Sequence, residues 1–193
     1  MKKVLLILPA LVIAAAYYAW PFYGLHQISR AVARRDGAEL AQRSDREALK
    51  RSLGDQIGRT YLRITGKDKE LKDFQIAVAV RVAASLASGP IDALVTPEGL
   101  LELLDKSGSV AYGRVGLPTS PQLPNFRNLS RVFSNTERFG RDFSIVLPLS
   151  ADEQTGYRLQ LRLENWTWKL SGVGLPEARQ IALAQEIAKL QPR

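Results

Sequence analysis

The first 23 residues contain an uncharged segment that restricts where the rest of the chain can fold. Residues 4–20 carry no charged side chain, and Lys2 and Lys3 precede them. This length is close to the minimum that spans a hydrocarbon core of about 30 Å. Lysines ahead of an apolar segment stay on the cytoplasmic side of a membrane. We therefore expect residues 1–23 to anchor the protein in a bacterial inner membrane in a single pass, with a cytoplasmic N-terminus and a periplasmic domain.

The same segment has features of a cleaved signal peptide. Ala14, Ala15 and Ala16 are small residues of the kind that precede a signal peptidase site, and cleavage after Ala16 would give a free periplasmic protein. Against cleavage, aromatic rings follow the segment, and such amphipathic rings concentrate where a membrane meets water. We favour an uncleaved anchor, whose membrane interface consists of Lys2, Lys3, Tyr17, Tyr18, Trp20, Phe22 and Tyr23.

Helical signals dominate the first half of the chain. Pro21 suits the first residue of a helix, because its φ is fixed near the helical value and its missing N–H needs no partner there. Apolar residues then recur at spacings of three and four, and a capping box of Ser44 and Glu47 begins the next helix. Residues 71–87 are ambiguous, since their apolar residues alternate as in a strand. Their length and alanine content favour a helix, which we predict.

Strand signals dominate the second half. Residues 107–125 are rich in glycine and proline and predict an exposed loop. Segments in which apolar and polar residues alternate then follow, at 143–150, 157–164 and 166–171, with a candidate fourth strand at 127–133. Short connections predict an antiparallel meander of three to four strands with one buried face. Pro176 begins a C-terminal helix. This order predicts a single α+β domain over residues 24–193.

The composition narrows the chemistry that the domain can perform. The 193 residues include no cysteine and a single histidine. Without cysteine there is no disulfide and no thiolate metal site, and His26 alone cannot assemble a metal cluster. The sequence contains no nucleophile-elbow, phosphate-loop or dinucleotide motif. We therefore predict no enzymatic activity, no cofactor and no metal.

The charge of the chain is compatible with an anionic partner, and the alternative is a mixed, solvated surface, because basic residues are interspersed with acids, as in Lys67-Asp68-Lys69-Glu70. With 27 Lys and Arg against 19 Asp and Glu, the net charge is +8. Basic proteins bind nucleic acid or anionic lipid headgroups, and export would separate this domain from nucleic acid. We therefore expect it to contact the membrane, through anionic lipid, or another envelope protein, and not nucleic acid.

Several short motifs resemble those of a known family. They are an aromatic junction at Trp20-Pro21-Phe22, a helix that ends at Asp36, a helix start at Thr96 to Gly99 and a strand at Trp168 to Leu170. Together with the apolar anchor, they resemble an uncharacterised family of membrane-anchored bacterial envelope proteins, the domain of unknown function DUF2939. Because the family has no known activity, the resemblance implies no site residues.

The order of helices and sheet also resembles the nuclear-transport-factor-2 and cystatin-like cone folds, which implies an apolar pocket between helices and sheet. In such a pocket Trp166 and Trp168 would share a strand face and stack a ligand, and Asp92 would be a buried carboxylate with a perturbed pKa. The structural alternatives are core anchors for the tryptophans and a turn residue for Asp92. We expect a domain that works through protein or lipid contacts. The alternatives are binding of a small apolar ligand in this pocket, or an unrecognised enzymatic activity that would need an ionisable group such as Asp92 or His26 inside it.

Overall fold

A computed structural model describes residues 2–69, 71–104, 136–147 and 157–190, with the backbone alone over residues 2–15. Its helices and single antiparallel sheet confirm the predicted α+β class. The predicted loop at 107–125 and the candidate strand at 127–133 lie outside the described residues. The helices are α1 (Lys2–Ala33), α2 (Gly37–Gln42), α3 (Arg46–Ile64), α4 (Asp73–Leu86), α5 (Ser88–Leu94), α6 (Pro97–Leu104) and α7 (Glu177–Leu190). The strands are β1 (Thr136–Phe139), β2 (Asp142–Leu147), β3 (Tyr157–Glu164) and β4 (Thr167–Gly174).

α1 is continuous from Lys2 to Ala33, so the prediction that a helix begins at Pro21 is wrong. The uncharged segment is itself helical, and the helix continues through the proline into the residues that follow. A proline inside a helix lacks one backbone donor and costs about 3 kcal/mol. The backbone carbonyl one turn earlier, that of Tyr17, consequently needs a donor from elsewhere in the fold.

The predicted anchor over residues 1–23 falls mostly on residues whose side chains are outside the described part. Among the residues whose side chains are described, from residue 16 onward, no single helix is long and apolar enough to span a membrane. α4 and α5 reach that length and composition only as a pair, with a bend of 68° between Phe74–Leu86 and Ser88–Leu94.

Aspartates begin α2 and α3. Asp36 and Asp45 each accept a hydrogen bond, of 2.9 and 3.0 Å, from the backbone N–H three residues further on. The capping box predicted at Ser44 is therefore wrong by one residue, because Ser44 forms a parallel β-bridge with Leu170 instead. The helical interpretation of residues 71–87 is confirmed by α4.

The sheet is an antiparallel meander in the order β1-β2-β3-β4. Its inner face is apolar, with the buried side chains of Phe143, Leu161 and Leu170 aligned across three strands. Polar and charged side chains alternate with them on the outer face, which confirms the predicted single buried face. β4 begins at Thr167, so Trp166, which we expected in a strand, belongs to the preceding turn.

The outer edge of β4 is paired with the helical half of the chain. Leu170 exchanges two backbone hydrogen bonds of 2.8 Å with the segment between α2 and α3. Further along, the Gln56 side chain donates to the Val173 carbonyl at 3.0 Å and accepts from the Leu175 N–H at 2.9 Å. Unpaired strand edges invite association with other chains. Here these bonds satisfy the edge and fix α3 beside β4.

One large cluster of buried side chains joins the helices to the inner face of the sheet. α1 contributes Ile28 and α3 contributes Leu49 and Leu53, all of them fully buried. A smaller cluster lies between α3, α4 and α7. The inner face of the sheet is therefore covered by helices, while its outer face borders a surface of α3 that includes Arg51 and Ser52.

Candidate functional site: an aromatic junction and a polar groove

A segment of α1 packs against the sheet and forms what we call the aromatic junction. Its members are residues 17–24 of α1 together with Arg138, Phe143, Trp166 and Trp168. Gly24 lies directly on Trp168, because an added Cβ would collide with the Trp168 Cβ and come within 3.1 Å of its Cγ. Phe22 meets Phe143 edge to face, with 5.1 Å between ring centroids. The helix can approach the sheet this closely only because Gly24 has no side chain.

A strained turn brings Trp166 onto Trp20. Asn165 and Trp166 form the turn between β3 and β4 with φ angles of 46° and 62°. A left-handed backbone at a bulky residue is rare and costs on the order of 1–3 kcal/mol. The Trp166 side chain is 77% exposed, yet its ring stacks on Trp20 with centroids 5.6 Å apart and planes at 24°. Because the Trp166 side chain is mostly exposed, its burial contributes little to stability. The left-handed backbone of the turn instead brings the Trp166 ring into contact with Trp20 of α1.

Arg138 of β1 supplies the donor that Pro21 lacks. Its Nη1 donates a hydrogen bond to the Tyr17 carbonyl, the acceptor that the proline leaves without a helical partner. Its guanidinium also lies 3.5 Å from the centroid of the Tyr17 ring, 5.7 Å from that of Tyr18 and 5.6 Å from that of Trp168. A charge-assisted hydrogen bond stabilises by about 1.5–3 kcal/mol and a cation–π contact by about 0.5–1 kcal/mol. Arg138 therefore offsets much of the cost of a proline inside α1.

The structure divides the predicted membrane-interface residues into two groups. Tyr17, Tyr18 and Tyr23 are exposed, whereas Trp20 and Phe22 are partly buried and pack against the core. The side chains of the two N-terminal lysines lie outside the described residues. Three tyrosine rings thus remain on the surface of α1, and two other rings connect the helix with the sheet.

The three predicted pocket residues have different surroundings. Trp168 is 2% exposed and belongs to the core, whereas Trp166 lies in the surface turn. Asp92 lies on the surface of α5, where its carboxylate forms an ion pair of 2.7 Å with Lys50 of α3. None of the three lines either of the two cavities on the outer face of the sheet.

Sequence patterns do not point to Arg138. The one clue in the sequence is Pro21, which leaves a helix carbonyl unpaired and so requires a donor from elsewhere in the fold.

A polar groove crosses the outer face of the sheet beside α3. Two adjoining cavities of about 570 and 430 Å³ share Ser52, Arg158 and Gln160 as lining residues, and the larger extends over Arg51 and Arg162. Small-molecule sites have volumes of about 300–1,000 Å³. The groove is therefore large enough for a small polar molecule. It lies on the opposite side of the sheet from the apolar pocket that the cone folds imply.

Ion pairs organise the floor of the polar groove. Arg158 Nη1 lies 2.7 Å from Glu137 Oε2, and Arg162 Nε lies 2.8 Å from Asp142 Oδ1. The hydrogen bond to Asp142, together with the charge of that carboxylate, raises the pKa of Arg162 above its ordinary value. Across the described residues, no group of three or more His, Asp or Glu is placed to hold a metal ion. The groove offers charge and hydrogen bonds to a ligand.

Comparison with known proteins finds a family match for part of the chain. Residues 10–103 match the family described as "Protein of unknown function (DUF2939)". This part of the chain is similar to DUF2939. No curated protein and no solved structure gives a significant match to the chain. The resemblance that the short motifs predicted is confirmed for residues 10–103.

The DUF2939 segment contains most of α1, all of α2 to α5 and most of α6, and the sheet lies beyond it. It supplies residues 17–24 to the aromatic junction, while Arg138, Trp166 and Trp168 come from outside the segment. It also supplies the α3 side of the polar groove. Both candidate sites therefore lie where the DUF2939 segment meets the sheet.

Proposed function

We propose that this protein is a membrane-tethered domain of a bacterial envelope that works through contacts with lipid or protein surfaces. In this proposal α1 spans the inner membrane once and holds a periplasmic domain close to the bilayer. The observation that carries the proposal is the continuity of α1 from Lys2 to Ala33 through a junction that packs against the sheet. Because no flexible linker separates the helix from the domain, a membrane-spanning α1 would restrict the domain to few orientations.

The surface around the aromatic junction supports this role. Tyr17, Tyr18 and Tyr23 are exposed next to the uncharged segment, and aromatic rings at such positions contact lipid headgroups. The net charge of +8 adds attraction to anionic lipid. We propose that the domain binds other molecules and does not catalyse a reaction, because the aromatic junction and the polar groove offer aromatic faces, charges and hydrogen bonds to a partner.

Membrane extraction and the mass of the mature protein test the tether. We expect the full chain, expressed in a bacterial host, to stay in the membrane pellet after alkaline carbonate extraction and to retain residues 2–16 by mass spectrometry. The chain has no cysteine, so a Gln185→Cys variant carries one thiol. A membrane-impermeant maleimide should label that thiol in intact spheroplasts.

Two outcomes would contradict this proposal. A soluble mature protein that begins at Tyr17 would establish the cleaved periplasmic alternative. A thiol at position 185 that reacts only after lysis would place the domain in the cytoplasm.

Binding of a small polar molecule is a second candidate function, favoured by the two adjoining cavities of the polar groove. It replaces the apolar ligand expected from the sequence, because charged and amide side chains line these cavities. A thermal-shift screen of carboxylated and phosphorylated metabolites tests it. We expect Gln160→Ala, at an exposed lining position, to weaken binding of a stabilising compound, and Arg59→Ala, exposed on α3 outside the groove, to leave it unchanged. Equal affinity in both variants would place the compound elsewhere.

A further inference from the structure

The outward side of α4 carries four exposed apolar side chains. Phe74, Val78, Val82 and Leu86 are 79%, 50%, 57% and 45% exposed. Their spacing of four residues places them in one line along the helix, and we call this line the α4 stripe. Exposed apolar side chains that form a continuous patch on a folded protein mark a contact with another surface.

The opposite side of α4 is already occupied. It packs antiparallel to α3, where a Cβ at Gly58 would lie 2.6 Å from the Val80 carbonyl oxygen and one at Gly54 would lie 3.2 Å from the Ala84 Cβ. α4 is therefore apolar on the side that α3 covers, and its outward side carries four further apolar side chains beside the exposed Gln75, Arg81 and Ser85. Because the α4 stripe stays exposed in the described part of the chain, it calls for a second partner.

Exposed basic side chains lie at one end of the α4 stripe and beside it. Lys67, Lys69 and Lys72 lie on the approach to the N-terminal end of α4 and are exposed, and Arg81 is exposed on the helix itself. Asp68, Glu70 and Asp73 stand among these lysines in the sequence, whereas residues 74–87 contain no acidic residue. Apolar side chains with lysines at one end are the pattern of a helix that lies in the interfacial layer of a bilayer, where the long lysine side chains reach the headgroups.

The size of the α4 stripe argues against a second copy of the chain as its partner. Even an aromatic side chain offers only about 150–250 Å² when it is fully exposed, so at the exposures given above the four side chains of the stripe present less than about 600 Å² together. A stable protein interface buries about 800 Å² on each partner. A lipid surface has no such requirement for matching shape, and α4 with α5 has the apolar composition of a membrane segment.

We propose that the α4 stripe lies on the bilayer surface, with its four apolar side chains among the upper acyl chains and Lys67, Lys69 and Lys72 at anionic headgroups. The site binds phospholipid in the plane of the membrane and does not cross it, since α3 covers the other side of α4. This inference rests on the proposed tether, which would bring α4 near the bilayer, and the two can fail separately. With α1 as the first attachment, the α4 stripe would be the second, and the two together would set the tilt of the domain.

Depth-dependent quenching on the full chain tests this site. A Val78→Cys variant carries one thiol in the middle of the α4 stripe, and Gln185→Cys, at an exposed position of α7, is the matched control. Each is labelled with an environment-sensitive fluorophore and reconstituted in vesicles of equal parts phosphatidylcholine and phosphatidylglycerol. We expect a blue-shifted emission and several-fold stronger quenching by spin-labelled lipid at position 78 than at position 185. Equal, water-like signals at both positions would overturn the proposal.

A charge inserted into the α4 stripe gives an independent result. With the fluorophore on a Ser85→Cys variant, an added Val78→Asp should reduce lipid quenching to the level of the control, because a carboxylate resists entry into anionic lipid. An added Ala182→Asp, which places the same charge on an exposed position of α7, should leave the quenching unchanged. Quenching that survives Val78→Asp would overturn the proposal.

The outcomes separate this inference from the proposed tether. Retention of the chain after carbonate extraction without quenching at position 78 would leave the tether and overturn the α4 site. Loss of retention with quenching at position 78 on added vesicles would leave the α4 site and overturn the tether. Covalent dimers formed by a bismaleimide across two Val78→Cys chains, without lipid quenching, would assign the stripe to a second copy and overturn the lipid site.

Discussion

Replacement of Gly24 by alanine should destabilise the protein, although alanine favours helices over glycine. In an unpacked helix this substitution would stabilise by about 0.5–1 kcal/mol. At the aromatic junction, however, the new methyl group would overlap the Trp168 Cβ and lie 3.1 Å from its Cγ. Trp168 is 2% exposed and is held between α1 and the rest of the core. It cannot give way without moving its neighbours.

The expected size follows from these two opposing effects. Overpacking of a closely packed core costs about 1–3 kcal/mol, and here the overlap involves the atom at the base of the side chain rather than its flexible end. After subtraction of the helix preference of alanine, we expect Gly24→Ala to lower the free energy of unfolding by about 1–2 kcal/mol. That is roughly a fivefold to thirtyfold change in the folding equilibrium constant.

Denaturant titration of the full chain in a mild detergent measures this change. The chain has three tryptophans, Trp20, Trp166 and Trp168, and all of them belong to the aromatic junction, so tryptophan fluorescence reports on it directly. Gly89→Ala is the matched control, because a Cβ there meets no atom within 4 Å. We expect that variant to gain about 0.4–1 kcal/mol from the smaller entropy of its unfolded state.

The opposite signs of the two variants make the result decisive. If Gly24→Ala were as stable as the wild type or more stable, while Gly89→Ala gained stability as expected, α1 would not be docked against Trp168. The reasoning that the helix leads into the domain without a linker would then be refuted, and with it the main support for a fixed orientation at a membrane.

Three further changes test other contacts of the fold. Arg138→Ala should lower the free energy of unfolding by about 2 kcal/mol, because a carbonyl of α1 and three aromatic rings lose their contact with the guanidinium. Arg138→Lys should retain only part of that stability, since an ammonium has no planar face. Gln56→Ala should cost about 2 kcal/mol, because two backbone groups at the end of β4 lose their partners, and hydrogen exchange there should accelerate. Burial raises the pKa of Tyr157 above its ordinary value of 10.0, so its stabilising contribution is complete below pH 10 and is lost as the pH rises through the higher folded pKa. Tyr157→Phe should remove this alkaline loss.

Each of these changes has a control or a contradicting outcome. Arg141→Ala, in the exposed turn between β1 and β2, should leave the free energy of unfolding unchanged. A loss of stability equal to that of Arg138→Ala would show that the contacts of Arg138 in the aromatic junction are not the cause of its effect. Unchanged exchange at the end of β4 in Gln56→Ala would show that another group satisfies that edge. Parallel curves of stability against pH for the wild type and Tyr157→Phe above pH 10 would mean that Tyr157 ionises in the folded state as easily as in the unfolded state.

Periodicity along the sequence is sufficient to predict most of the secondary structure. Alternation at period two predicts which residues of β2 and β3 face inward, and Phe143 and Leu161 lie on the buried face as expected. The length and alanine content of residues 71–87 correctly favour a helix over a strand. These features are local, because the direction of a side chain repeats with the backbone geometry of its own element.

The helix starts show where local signals become insufficient. Ser44 and Asp45 are both good N-cap residues by type, and the sequence favours Ser44 because Glu47 completes a capping box. The structure selects Asp45, since Ser44 is held in a bridge to Leu170. Pro21 likewise has the local character of a helix start, but it is tolerated inside α1 where Arg138 supplies the missing donor to Tyr17, 121 residues away in sequence.

By itself, the sequence determined the α+β class, the order of helices and strands, the buried face of the sheet, the basic charge and the similarity of residues 10–103 to DUF2939. Only the tertiary structure decided the surroundings of the candidate site residues. Trp166 and Trp168 are two positions apart, yet one is 77% exposed and the other 2% exposed. Asp92 sits among apolar residues in the sequence but pairs with Lys50 at the surface. The exposure of these side chains depends on contacts between segments that are distant in sequence. Such contacts form only when the whole chain packs, so they cannot be predicted from a local sequence pattern.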